Sequence, residues 1–156
     1  MPDLLVKLYE LPDVRPHVDK LQMEGITVRR AMAYEKRQVV KWVEDNFGQG
    51  WAGECEVAFA RSPISCFIAT ENTSVIGFAC YDSTAKNFFG PIGVAEQARN
   101  RGIGKALLLS ALDAMSHIGY AYAIIGGVES AAFYMTTVGA IEIPGSSPGV
   151  YRNRLG

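Results

Sequence analysis

Apolar and polar residues recur along this chain with a period that changes every ten residues or so, and the changes mark out its elements. Residues 4–8 are apolar and short, and Leu11-Pro12-Asp13 with Pro16 ends them, which predicts a strand and then a loop. Residues 26–32 alternate Ile26, Val28 and Arg30 against Thr27 and Arg29, as in a strand with unlike faces. Between 34 and 47, Val39, Val40, Val43 and Phe47 gather on one side of a helix, leaving Glu35, Lys36, Lys41, Glu44 and Asp45 for water. Gly48 is its natural stop. Trp51, Cys55, Ala58 and Phe59 repeat at helical spacing and predict a second helix over 51–60, before Pro63.

Residues 65–71 and 74–82 are rich in Ile, Phe, Val and Cys, and Asn72-Thr73 between them suits a tight hairpin. A further strand, 88–95, is interrupted by Gly90-Pro91 and Gly93, residues that mark a bulge or a close approach by another backbone or a ligand. The clearest element is a helix over 102–119, with Ile103, Leu107, Ala111, Ala114, Met115 and Ile118 on one face and Leu108 and Leu112 widening it. An inner strand over 121–128, a short helix over 130–138 closed by Gly139, and a strand over 140–143 complete the pattern. With no internal repeat or linker, this order predicts one mixed α/β domain over 1–156, with 1–25 as an N-terminal strand-and-loop extension. An edge position for that first strand would allow a homodimer.

Fifteen Lys and Arg against sixteen Asp and Glu give a formal charge of -1, without the basic excess of a nucleic-acid binder. Cys55, Cys66 and Cys80 are odd in number, far apart and free of any C-x-x-C pair, and His17 and His117 lie nowhere near them. This spacing predicts neither a metal centre nor a disulfide framework, and it suits a reducing cytoplasm. No apolar run approaches the ~20 residues of a membrane span.

Arg99-Asn100-Arg101-Gly102-Ile103-Gly104-Lys105 stands between a strand and the long helix, where unpaired N–H groups and the helix dipole favour an anion. A tight turn with solvated cations would read the same way. Two other phosphate loops fail here: Ala106 stands where a P-loop needs Ser or Thr, and Leu107 where a dinucleotide fingerprint needs a third glycine.

What remains, Arg-x-x-Gly-x-Gly after a strand, resembles the GNAT superfamily of N-acetyltransferases. The resemblance runs from Ile92-Gly93-Val94 through Arg99 to Lys105 and into the helix, and again through Phe133-Tyr134 and Val138-Gly139-Ala140. It implies a central twisted, mostly antiparallel sheet, flanked by helices and splayed between the strands at 88–95 and 121–128. It implies acetyl-CoA as cosubstrate and no metal, with the pyrophosphate on Arg99, Asn100, Arg101, Gly102, Ile103, Gly104 and Lys105. The pantetheine arm would lie along Ile92, Gly93 and Val94, with Phe133 nearby. Tyr134 would match the family tyrosine that protonates the departing thiolate, although Tyr134 and Val138 are also spaced for plain core packing. The implied function is acetyl transfer to an unidentified amine by direct attack in a ternary complex, in the cytoplasm, with neither nucleic acid nor membrane as partner. The alternative is a CoA-binding sensor or interaction module.

Two departures from the family pattern bear on mechanism. No Asp or Glu occurs between Lys86 and Val94, where members often carry a glutamate base, and Gly126-Gly127-Val128-Glu129 stands where many carry Asn. Glu71, Asp82 and Glu129 are candidate replacement bases, or solvated surface carboxylates. Trp51 with Glu54 and Glu56 could line an amine pocket, or simply divide into a core face and a wet face. His117 suits a helix C-terminal cap, and the cysteines suit small buried positions.

Overall fold

The computed structural model describes residues 1–156. Its elements are β1 (Leu4–Lys7), α1 (Arg15–Met23), β2 (Ile26–Arg30), α2 (Lys36–Phe47), α3 (Gln49–Phe59), β3 (Cys66–Glu71) and β4 (Ser74–Tyr81). There follow β5 (Phe88–Val94), α4 (Ile103–His117), β6 (Tyr122–Ile125), α5 (Ala132–Val138) and β7 (Ile141–Glu142). The seven strands form one sheet in the order β2-β3-β4-β5-β6-β1-β7. Every neighbouring pair is antiparallel except β5 and β6, which are parallel.

Strand alternation divides the core in two. Ala79 and Tyr81 of β4 join Leu107, Leu108, Ala111, Leu112 and Met115 of α4, together with Leu21 of α1, on one face of the sheet. Phe78 and Cys80 of the same strand join Val39 and Val43 of α2 and Ala52, Cys55 and Ala58 of α3 on the other. α4 is buried over most of its circumference, Ala106 and Leu109 included, though Ile118, expected on its inner face, is exposed just beyond its end. Truncating a leucine such as Leu108 to Ala would remove about 2–5 kcal/mol of stability. Between β3 and β4, Asn72 and Thr73 both have positive φ, 51° and 65°, as a two-residue hairpin turn that follows strand twist requires.

The N-terminal region differs from the sequence expectation. Residues 15–23 form a helix instead of a loop, because Pro16 falls in the first turn, where its missing N–H costs nothing. β1 is not an edge strand: it pairs with β6 on one side and β7 on the other. Leu4 and Val6 are fully buried, so the reason for expecting dimerisation through this strand is gone. No helix is long and apolar enough to cross a membrane.

Candidate functional site

β5 and β6 pair at only two positions, Phe88 with Ile124 and Phe89 with Ile125. Beyond them the strands part, and the edge of β5 from Gly90 to Val94 that faces β6 has no strand partner. Apart from the Val94 carbonyl, which Arg99 engages, its N–H and C=O groups are available to a ligand that carries amides. A bulge lies at the parting point. Ala79 pairs with Ile92 and Tyr81 with Phe89, so β5 carries an extra residue at Gly90-Pro91, and Gly90 has φ 120°. Phe89 and Ile92 both pack on the α4 side as a result.

Gly93 has a specific physical reason to lack a side chain. A Cβ there would lie 2.5–2.9 Å from the ring of Phe47. Phe47 in turn packs at 5.6 Å against Trp42, 5.2 Å against Trp51 and 5.7 Å against Phe78, centroid to centroid. The close approach foreseen for this glycine is therefore made by an aromatic ring, which closes that face of β5.

The open edge of β5 leads to the loop before α4. Asn100 (φ 66°) and Gly102 (φ 84°) are both left-handed, so the chain turns tightly into the first turn of a 15-residue helix. That turn's N–H groups and the positive end of its dipole are the kind of feature that suits an anion. The Ile103 side chain is buried in the core, so this residue offers only backbone. A Cβ at Gly104 would meet Val94 at 3.8 Å and Phe133 at 4.0 Å, so the end of β5, the start of α4 and α5 converge here. The Arg99 guanidinium donates to the Val94 carbonyl at 3.3 Å, whereas that of Arg101 is held by Glu71 at 3.1 Å. Lys105 is partly exposed.

Tyr134 packs against the α4-side core with the Phe133 ring edge-on at 5.1 Å. Burial pushes its phenol above the ordinary value of 10.0, so it holds its proton at neutral pH. Among the candidate bases, Glu71 is committed to Arg101. Asp82, buried at the start of the β4–β5 loop, accepts from the Asn87 N–H at 2.8 Å and the Tyr120 hydroxyl at 3.1 Å. It clamps the loop. Glu129 is exposed. The His117 ring lies 2.8 Å from the Asp113 carbonyl, a cap at the end of α4.

A second wall of the fork was only partly foreseen. Glu54 on α3 accepts a hydrogen bond from the Thr84 hydroxyl, in the loop that feeds β5. Thr84 also faces the phenol of Tyr151, close to the C-terminus. The Tyr151 hydroxyl fills the space where a Cβ at Gly126 would stand, one residue beyond the last paired position of β6, and its ring lies 3.3 Å from a Cβ built at Gly127. The Asp3 carboxylate accepts from the Gly127 N–H at 3.0 Å, while the Asp3 N–H donates to Ser146 Oγ at 2.7 Å. Burial first, then the negative charges of Glu54 and Asp3, push the Tyr151 phenol upward. Glu56 points to solvent.

Two further groupings lie off the fork. A cleft of about 380 Å³ beside α2 is walled by Arg29 and Glu35, an ion pair of 2.6 Å that neutralises itself. Behind Glu54, the fold brings the sulfurs of Cys55, Cys66 and Cys80 within 4.8 Å of one another, all fully buried, which sequence spacing did not indicate. Cys66 and Cys80 stand directly opposite across β3 and β4. The neighbouring thiols draw Cys55 down, whereas Cys55 pushes Cys66 up and burial pushes Cys80 up.

Comparison with known proteins agrees with this geometry. The model of the acetyltransferase (GNAT) family matches residues 35–139. No curated protein matches. Among solved structures, the chain resembles a GCN5-related glucosamine N-acetyltransferase region of a fungal multi-domain GH3 β-N-acetylglucosaminidase, with a TM-score of 0.72 and 20% identity, covering 91% of this chain and 19% of that one. A GCN5-related N-acetyltransferase from Sphaerobacter thermophilus gives a TM-score of 0.65 at 21% identity, covering 91% of this chain and 48% of the other. A GNAT family acetyltransferase from Brucella melitensis, in complex with acetyl-CoA, gives 0.55 at 16% identity over 70% of this chain and 80% of that one. The chain thus spans less than half the length of the first two.

Proposed function

The chain belongs to the acetyltransferase (GNAT) family, and from that premise we propose that it transfers acetyl from acetyl-CoA to an amine by direct attack in a ternary complex. The observation that carries this reading is the fork: an unpaired β5 edge followed, after a short 3-10 turn over Glu96–Ala98, by the free N–H groups at the start of α4. Pantetheine amides would pair with the β5 edge along Ile92, Gly93 and Val94. The pyrophosphate would rest on the N–H groups between Arg99 and Lys105, with Phe133 beside it. Because Arg101 is tied to Glu71, the side-chain cations left for the phosphates are Arg99 and Lys105.

Tyr134 would protonate the departing thiolate. Bond formation between the amine nitrogen and the acetyl carbonyl carbon expels the sulfur, and a phenol that holds its proton at neutral pH supplies one. The test is CoA release from acetyl-CoA over a panel of primary amines, with Tyr134→Phe alongside. Loss of a positioned acid lowers kcat by ~10²–10⁴-fold and leaves acetyl-CoA affinity unchanged. Unchanged kcat returns Tyr134 to a packing role. The lack of a carboxylate between Lys86 and Val94 favours the second reading, a CoA-binding module without turnover, and binding with no CoA release on any amine would establish it.

A further inference from the structure

The reading above leaves the acceptor side of the fork without a chemical identity and the reaction without a base. Three elements far apart in sequence meet there. α3 contributes Glu54, the β4–β5 loop contributes Thr84, and the C-terminal segment contributes Tyr151. Each is tied to the parting point of the strands. Thr84 lies four residues before Phe88, the first β5 residue paired with β6, and the Tyr151 hydroxyl lies against Gly126, the first β6-side residue beyond the pairing. The Phe88 ring borders the same spot, 3.1 Å from a Cβ built at Gly126. On α3, Trp51 stands one turn before Glu54 with its indole partly exposed, and it packs on the Phe47 ring that covers Gly93. Ser83, next along the loop, is buried with an unpartnered hydroxyl, and a buried polar atom left unpaired in a native fold calls for a water or a ligand.

Resting on the acetyltransferase reading, we propose that Glu54, held by Thr84 and flanked by Trp51 and Tyr151, is the receiving site for a primary ammonium group and the base that deprotonates it. A carboxylate between an indole and a phenol attracts a cation and orients it. Asp3 adds negative charge from the far side of Tyr151, and Arg154 is the cation that opposes it. In the step itself, one N–H proton of the ammonium passes to the Glu54 carboxylate, and the freed lone pair forms the C–N bond to the acetyl carbon. The C–S bond breaks with its electron pair on sulfur, which takes the Tyr134 proton. The second amine proton leaves to water and Tyr134 is reprotonated from solvent. Glu54 thereby does from a helix what the strand before the phosphate loop cannot do here.

The test uses the full chain, with cadaverine and glucosamine as ammonium probes and hydroxylamine as an amine already unprotonated at neutral pH. Glu54→Gln keeps an acceptor for Thr84 and loses the base. Its kcat/KM with cadaverine and glucosamine should fall by ~10²–10⁴-fold, its acetyl-CoA affinity should match the parent, and the deficit should shrink at least tenfold with hydroxylamine. A purely structural role would reduce all three amines equally and would overturn the proposal. Glu54→Asp, which keeps the charge at a shorter reach, should recover part of the rate. Activity of Glu54→Gln equal to the parent also overturns it. If the parent itself binds acetyl-CoA and releases no CoA with any probe, the transferase reading falls first and this proposal with it.

Discussion

Gly93 allows the packing of the fork to be tested by stability alone. Its φ lies outside the left-handed region, so replacement by alanine strains nothing in the backbone, and the whole effect comes from the new Cβ. That atom would stand 2.5–2.9 Å from three carbons of the Phe47 ring. Ordinary carbon contact is about 3.5–4.0 Å, so the ring must retreat by roughly 1 Å into Trp42, Trp51 and Phe78. Overpacking of this kind costs about 1–3 kcal/mol, and the reduced freedom of the unfolded chain returns about 0.4–1 kcal/mol. A net loss of roughly 1–2 kcal/mol should remain, which for a chain of this length lowers Tm by about 2–8 °C. Gly53→Ala is the matched control: in α3, with nothing within 4 Å of its Cβ, it should stabilise by about 1 kcal/mol. Thermal denaturation of both variants decides the matter, and Phe47→Leu provides a cycle, because Gly93→Ala should cost much less once the ring is gone. An unchanged or raised Tm for Gly93→Ala in the parent background would refute the contact between Phe47 and β5.

Other expectations follow from polar contacts. Tyr120→Phe removes the hydroxyl whose proton is shared between the two oxygens of Asp82 and should lower urea-unfolding stability by about 1.5–3 kcal/mol, the cost of a hydrogen bond to a charged group. The Glu35 carboxyl is held below its ordinary value of 4.5, first by the Arg29 side chain. Its stabilisation is therefore complete above about pH 4.5 and is lost as pH falls through the depressed folded-state value. Glu35→Gln should flatten the acid limb of a Tm-against-pH curve below pH 4.5 and leave its shape near neutrality unchanged.

Elements whose reason is local were legible in the sequence. The α4 periodicity, the Asn72-Thr73 hairpin and the glycine-rich turn into α4 each rest on residues within a few positions of one another. α1 was missed because Pro16 reads as a breaker in a loop but is tolerated at a helix start, and because Leu21 alone of its side chains is fully buried, a weak apolar signal. The interior place of β1 was missed because strand order depends on which surfaces fit after collapse, and no pattern in residues 4–7 distinguishes an edge from a centre. The site divided in the same way. The anion loop was visible as a contiguous run, whereas Thr84 and Tyr151 carry no signature of their own and gain meaning only through Glu54 and Gly126. Trp51 and Glu54 read equally well as an amine pocket or as a core face beside a wet one, because helical spacing does not say what a face meets. The cysteine group was hidden for a related reason, since Cys66 meets Cys80 through the register of β3 on β4 and Cys55 through the docking of α3.

The place of β1 between β6 and β7 also bears on how the molecule is made. Lys7 pairs with Tyr122, and Leu5 with Ile141, so during synthesis β1 waits for partners made more than a hundred residues later. At about 5–20 residues per second this is an interval of roughly 6–23 s. Meanwhile β3 to β5 can assemble through hairpins, β2 can join them across the α2–α3 connection and α4 can dock on the result, while an apolar strand with Leu4 and Val6 uncovered remains unpaired. Closure over such a sequence distance is slow compared with hairpin formation. The unfinished domain is therefore most exposed to mispairing at β1, and completion of one arm of the fork is also the event that ends that exposure.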